Sequence, residues 1–214
     1  MKIINTSTPW ENEYKQSRQA PIYEQLWKIL QEFLKNSHGK SILDYGCGDG
    51  NYSILMHNMG FKVIGIDVSS NAIEIAENSC STENLTFHIA DSVPEKFPEN
   101  SFDIVIMLNV LHCLSNWKRA ELLGQTRRVL KNKGHFFASV LSTNDESYPR
   151  HEWTEVEPST FDDGSGKLFH FFSLEEITNE FEFLNISHMD ILENVHPEVG
   201  KKSALHIIAG QNEK

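Results

Sequence analysis

Apolar residues recur along this chain in two rhythms, and the changes from one to the other mark out its elements. Ile22, Leu26, Ile29, Leu30, Phe33 and Leu34 lie three or four residues apart, the spacing of one helix face. Pro21 suits the first turn of that helix, and His38-Gly39 its end. Short apolar runs bounded by turn residues then read as buried strands: Ser41 to Gly46, Phe61 to Asp67, Leu85 to Asp91 and Phe102 to Leu108. Between them the pattern predicts a helix that stops around Gly60, a second from Ser69 to Cys80 capped by Ser69 or Ser70, and a third from Asn116 to Leu130. Gly134 leads into a fifth strand, HFFASVL. Strands and helices alternating in this way specify a doubly wound, mostly parallel α/β sheet with helices on both faces.

The rhythm breaks between Ser142 and His170, where Pro149, Pro158, Gly164 and Gly166 interrupt polar and aromatic residues. A structureless stretch of this length is uncommon inside a compact domain, so residues 143–171 are expected to form a substrate loop or lid. Ser173 and Glu176 then have capping-box spacing ahead of Ile177 and Phe181. Two final runs, Asn185 to Leu192 and Ala204 to Ala209, predict a C-terminal antiparallel hairpin that completes a seven-stranded sheet. The expected organisation is an N-terminal cap segment and helix, 1–39, followed by one domain, 40–214, carrying the insertion.

Composition narrows the function. Nineteen Lys and Arg against 30 Asp and Glu leave a net charge of −11, a field that repels nucleic acid and anionic membrane unless a local basic patch overrides it. Such a patch is conceivable on the third helix, where Lys118, Arg119, Arg127, Arg128, Lys131 and Lys133 gather, but a solvated face complementing the helix dipole accounts for it more simply. Cys47, Cys80 and Cys113 show no CxxC spacing, and the ten histidines form no HxH or HExxH pattern, so neither disulfide framework nor metal site is expected. The leader turns polar after four residues, and the most apolar run, Ile104 to Leu114, is too short for a bilayer. A cytoplasmic protein without a membrane span is expected.

The sharpest feature is Asp44-Tyr45-Gly46-Cys47-Gly48-Asp49-Gly50, directly after a strand and before a helix, where open α/β sheets place ligands. Alternate glycines let the backbone turn tightly and approach a ligand. A phosphate-binding P-loop needs Gly-Lys-Ser/Thr, but Gly50-Asn51-Tyr52 stands here. A dinucleotide fingerprint needs a third glycine where Asn51 lies, and the carboxylates of Asp44 and Asp49 would face a pyrophosphate. Those acids suit a cofactor that is cationic and carries no phosphate.

The loop resembles the D-x-G-x-G-x-G signature of class I S-adenosylmethionine-dependent methyltransferases, here ILDYGCGDG from Ile42 to Gly50. Asp67, Asp91-Ser92 and FDIVIMLNVLH follow in the family's order, and the resemblance covers about Lys40 to Leu141. It implies a Rossmann-like methyltransferase fold, S-adenosylmethionine as cofactor and S-adenosylhomocysteine as product. Within that resemblance Asp67, followed by Val68, grips the ribose hydroxyls. Asp91, with Ser92 beside it, meets the adenine amine, and Asp44 orients the methionine amino end. Gly46, Cys47, Gly48 and Gly50 form the loop packed against the cofactor, and Asn109 and Val110 line it near its methyl. Without the resemblance, the glycines make a tight turn and the acids are solvated strand ends.

Methyl transfer from a sulfonium is an in-line displacement, in which a protein supplies alignment, desolvation and, where the acceptor carries a proton, a base. His112 lies near the expected transfer point as the candidate catalytic residue, to act as base or to orient the acceptor; its alternative is a packed structural histidine. Asn109-Val110-Leu111-His112 departs from the Asn/Asp-Pro-Pro-aromatic of base-amine methylation, and Cys113 follows His112 where the nucleophile of cytosine C5 methylation needs Pro-Cys. Tyr14, His151, Trp153 and His170 are candidate contacts for a small-molecule acceptor, whereas Phe171 and Phe172 read as anchors of the long loop. Trp10, Tyr14 and Tyr23 fit a segment that covers the cleft. The competing functions are RNA or protein methylation, a non-catalytic cofactor-binding partner subunit, and a nicotinamide oxidoreductase that the glycine spacing disfavours. The acceptor and the oligomeric state are not legible in the chain.

Overall fold

The computed structural model describes residues 7–14, 22–37, 40–149, 151–195 and 202–213. Helices α1 (Ser7–Tyr14) and α2 (Glu24–Asn36) precede an alternating series. It runs β1 (Ser41–Tyr45), α3 (Asn51–Asn58), β2 (Lys62–Asp67), α4 (Ser70–Ser79), β3 (Leu85–Ile89) and β4 (Phe102–Leu108). A 3₁₀ turn (Leu111–Cys113), α5 (Asn116–Val129) and β5 (Leu130–Leu141) follow. Three short strands, β6 (Thr154–Glu157), β7 (Thr160–Asp162) and β8 (Leu168–His170), lead to α6 (Leu174–Glu180) and the hairpin of β9 (Leu184–Val195) and β10 (Lys202–Asn212). The main sheet has seven strands in the order β3-β2-β1-β4-β5-β10-β9. Neighbours from β3 to β5 are parallel and the last two strands antiparallel.

The apolar strands earn their central positions by being covered on both sides. Along β4, Ile104 and Ile106 belong to one core, with Leu26, Leu30 and Leu34 of α2, while Val105 and Met107 belong to the other, with Leu122 of α5 and Ile177 and Phe181 behind them. This is the period-two alternation of a strand, repeated in β5 by Phe137 against Phe136 and Ala138. The leucines of α2 recur every fourth residue and are at most 2% exposed. Ser69 caps α4 by accepting from the Ala72 amide at 3.2 Å, and the Ser173–Glu176 capping box forms in full on α6.

Four boundaries differ from the sequence pattern. Helix α2 begins at Glu24, and Pro21, like His38-Gly39, lies outside the described residues. Strand β3 ends at Ile89, so Asp91 stands beyond it. Helix α5 passes straight into β5 at Leu130, four residues before Gly134. The insertion is not structureless: β6, β7 and β8 form a three-stranded antiparallel sheet. It is anchored by Phe171 and Phe172, both fully buried, and by Asp145, which accepts the Ala204 amide of β10 at 3.0 Å.

Candidate functional site

The C-terminal ends of β1, β2, β3 and β4 open onto a cavity of about 330 Å³. Two glycines shape its floor. Gly46 and Gly48 have φ of +72° and +55°, a left-handed backbone that side chains resist, and neither has room for a Cβ. At Gly46 the added carbon would collide with Val110, and at Gly48 it would lie 2.5 Å from the Tyr14 hydroxyl. The loop is tied to β2 by the amides of Gly46 and Cys47, which donate to the Ile66 carbonyl at 2.7 and 3.0 Å. Cys47 also lines the cavity, whereas Gly50 sits behind it as the residue before α3, against Phe87 and Ala76.

Among the described residues four carboxylates line this cavity, and their surroundings differ. Asp44 and Asp49 are each 2% exposed. Burial pushes the Asp44 carboxyl up to about 7, against a 2.5 Å hydrogen bond from Ser53 Oγ, with the Asp67 charge adding to the rise. Asp67 accepts the Gly48 and Ser69 amides, each at 2.9 Å, and burial still raises its pKa. The Val68 amide also favours its charged form, and since a carboxylate has about four acceptor sites, Asp67 keeps capacity for a ligand hydroxyl. Asp91, exposed, and Val68 also line the cavity, whereas Ser92 does not.

The other half of the cavity is built by the segment after β4. Asn109, at φ +58°, accepts the Ser139 hydroxyl at 3.0 Å, which fixes the turn that carries Val110 and His112 inward. His112 is 6% exposed, and its Nδ1 accepts the Leu141 amide at 3.3 Å. That bond assigns the ring hydrogen to Nε2. Burial, with the nearby His170 adding to it, drops the His112 pKa to about 3. Lys118, from the first turn of α5, reaches the rim, and Trp10, Tyr14 and Phe169 supply aromatic walls.

Of the acceptor contacts expected from the sequence, Tyr14 faces the cavity and the others do not. His151 is exposed away from it. Trp153 stands one ring back, stacked 4.9 Å from Phe169. His170 is buried in the insertion, where Nδ1 meets Thr160 Oγ1 at 2.8 Å. The basic cluster is a solvated face only in part: Arg127 and Lys133 are exposed, but Arg119 is buried on Glu180 at 3.0 Å, Arg128 donates to the Phe97 and Pro94 carbonyls, and Lys131 pairs with Asp103 at 2.7 Å. Sequence reasoning missed Phe169 and Lys118 as lining residues. Phe169 carried a signal, the neighbouring His-Phe-Phe run, whereas nothing local distinguishes Lys118 from the other cations of α5.

Among the described residues no group of three or more His, Cys, Asp or Glu is placed to hold a metal ion, and no helix is long and apolar enough to cross a membrane. The sheet order places the carboxylate-lined crevice at the C-terminal ends of the parallel strands, where open α/β domains bind their ligands. The methyltransferase domain family matches residues 16–187. The chain is 31% identical to a demethylmenaquinone methyltransferase of Tropheryma whipplei over 141 residues, 59% of this chain and 57% of that protein. It is 38% identical to a ribosomal protein L11 methyltransferase of Burkholderia orbicola over 82 residues, 37% of this chain and 27% of that protein. The matched stretches thus cover well under two thirds of these relatives. A SAM-dependent methyltransferase structure from Anabaena variabilis superposes with a TM-score of 0.76 at 18% identity, over 100% of this chain and 96% of that one. The chain belongs to the class I S-adenosylmethionine-dependent methyltransferase family, with S-adenosylmethionine as its cofactor.

Proposed function

We propose that this protein transfers the methyl group of S-adenosylmethionine to a small-molecule acceptor, held between residues 109–113 and the 143–171 insertion. One observation carries the reading. The cavity that the carboxylates line is also lined by Trp10, Tyr14, Val110, His112 and Phe169, an apolar and aromatic surface suited to a small molecule. The demethylmenaquinone methyltransferase relative, named for a small-molecule acceptor, supports it. The three free cysteines suit a reducing compartment, and we place the enzyme in the cytoplasm.

S-Adenosylmethionine supplies a methyl group activated on a sulfonium. In this reading the protein's residues position it. Asp67 offers its remaining acceptor sites to the ribose hydroxyls, Asp91 takes the adenine amine, and Asp44 faces the ammonium group. The open backbone at Gly46 and Gly48 lets the cofactor lie against the loop without a side chain between. The Asn109 turn and Val110 fix one side of the transfer point, and the aromatic walls exclude water from it.

Protein methylation is the second reading, favoured by the partial L11 methyltransferase match. Supplying the protein with methyl-labelled S-adenosylmethionine and a cell extract divided into small-molecule, RNA and protein fractions separates the two. Label is expected in the small-molecule fraction. Label in protein or RNA overturns the proposal, and cofactor binding without any transfer points to a non-catalytic subunit.

A further inference from the structure

We propose, resting on the small-molecule reading, that the acceptor is an acidic thiol or phenol that binds already ionised, drawn in by Lys118 and oriented by the Nε2–H of His112. The charge on the cavity wall is divided. Asp44 and Asp67 stand at the ends of β1 and β2, Asp49 in the loop between and Asp91 just beyond β3, whereas the first turn of α5 brings a lysine. The carboxylate half complements the two cationic groups of the cofactor. The other half complements an anion.

No described side chain on that second half is placed to take a proton. His112 lines the cavity and spends Nδ1 on the Leu141 amide, which leaves the Nε2–H as the ring's one remaining donor. The groups acting on it are His170 and Asp145, and burial holds it neutral, with a pKa of about 3. The Cys113 thiol donates to the Asn109 carbonyl at 3.5 Å, and burial raises it to about 12 against the opposing charge of Lys167. Tyr14 is held protonated by burial and by Asp67, Asp49, Cys47 and Glu13. Lys118 pairs with Glu121 at 3.1 Å and lies against the Trp117 ring. Glu121 is 44% exposed at its side chain, so water can replace the lysine when an acceptor anion arrives.

The reaction then balances without a base. The acceptor loses its proton to solvent before entering. Its sulfur or oxygen lone pair forms the bond to the methyl carbon as the carbon–sulfur bond breaks and its electrons return to sulfur. An anion and a cation become two neutral molecules, which a cavity of low polarity favours.

The test uses 4-nitrophenol and 4-nitrothiophenol, whose anions are coloured, titrated from acid to alkali with the protein loaded with S-adenosylhomocysteine. The expected result is an ionisation midpoint lowered on the protein by about one pH unit, a tenfold preference for the anion, with the shift lost in Lys118→Met. In turnover, kcat/KM across ring-substituted thiophenols and phenols should rise with pH along each acceptor's own ionisation. His112→Gln, which keeps a donor, should retain more activity than His112→Leu. A midpoint unchanged or raised, a pH profile common to all acceptors, or methylation of anilines alone overturns the inference. So does failure of both probes to bind or react while extract small molecules take the label, a result that leaves the small-molecule reading standing.

Discussion

Asp44 shows how one buried group makes the site sensitive to pH. Its carboxyl titrates near 7 in the folded chain, against an ordinary value of 3.8, chiefly because it is buried. A raised folded pKa means that its contribution to stability is fully present below about pH 4 and lost as pH rises through about 7. A cationic amino group in the cavity reverses the preference, favouring the ionised carboxylate. Affinity for S-adenosylhomocysteine should therefore rise with pH up to about 7 and level off above it, by at most about tenfold per unit. Calorimetry in buffers of different ionisation enthalpy should detect the released proton, and Asp44→Asn should bind with a flat profile. The places of Asp44 and Asp67 at the ends of β1 and β2 were legible from the apolar runs that precede them, whereas Asp91 lies beyond the end of β3. The hydrogen on His112 Nε2 was not, since it depends on the Leu141 amide, 29 positions along the chain and on the next strand.

At the scale of elements, α1 is held over the cavity from both sides. Glu11 accepts the Ser70 amide at 2.7 Å, the Asn71 amide at 3.3 Å and the Ser69 hydroxyl at 3.2 Å, occupying the positive end of α4. Across the cavity, Lys167 from the β7–β8 turn pairs with Glu13 and sits over the Trp10 ring. Glu11→Ala should release this cover, costing about 1 kcal/mol of docking through the lost capping bonds. The expected result is faster dissociation of S-adenosylhomocysteine in stopped-flow measurements with little change in urea midpoint, because the sheet and its two cores are untouched. The insertion's position was readable from broken periodicity. Its fold was not, because β7 and β8 are three residues each, too short to show an alternation.

At the scale of the whole molecule, the strand alternation was enough to anticipate a parallel sheet closed by an antiparallel hairpin, because covered strands must be apolar throughout. It could not show that Arg119 joins distant parts of the fold. This guanidinium, 3% exposed, holds Glu180 of α6, donates to the Leu114 carbonyl at 3.0 Å and stacks over Phe172, 5.1 Å away. Glu180→Ala leaves that cation buried without its partner and should cost about 3 kcal/mol in urea unfolding. Glu24→Ala, which breaks the exposed Lys28 pair, should leave the midpoint where it was.

The proposed function stands on the carboxylates along the sheet edge holding a nucleoside-linked, cationic cofactor, with Asp67 on its ribose. Calorimetric titration with S-adenosylhomocysteine and its 2′-deoxy form, on the protein and on Asp67→Ala, tests it most directly. The protein is expected to bind the full ligand, to prefer it to the deoxy form, and to lose about a hundredfold in affinity with Asp67→Ala, which no longer tells the two apart. Equal affinity of the protein for both ligands, with binding unchanged in a cooperatively folded Asp67→Ala, would contradict it.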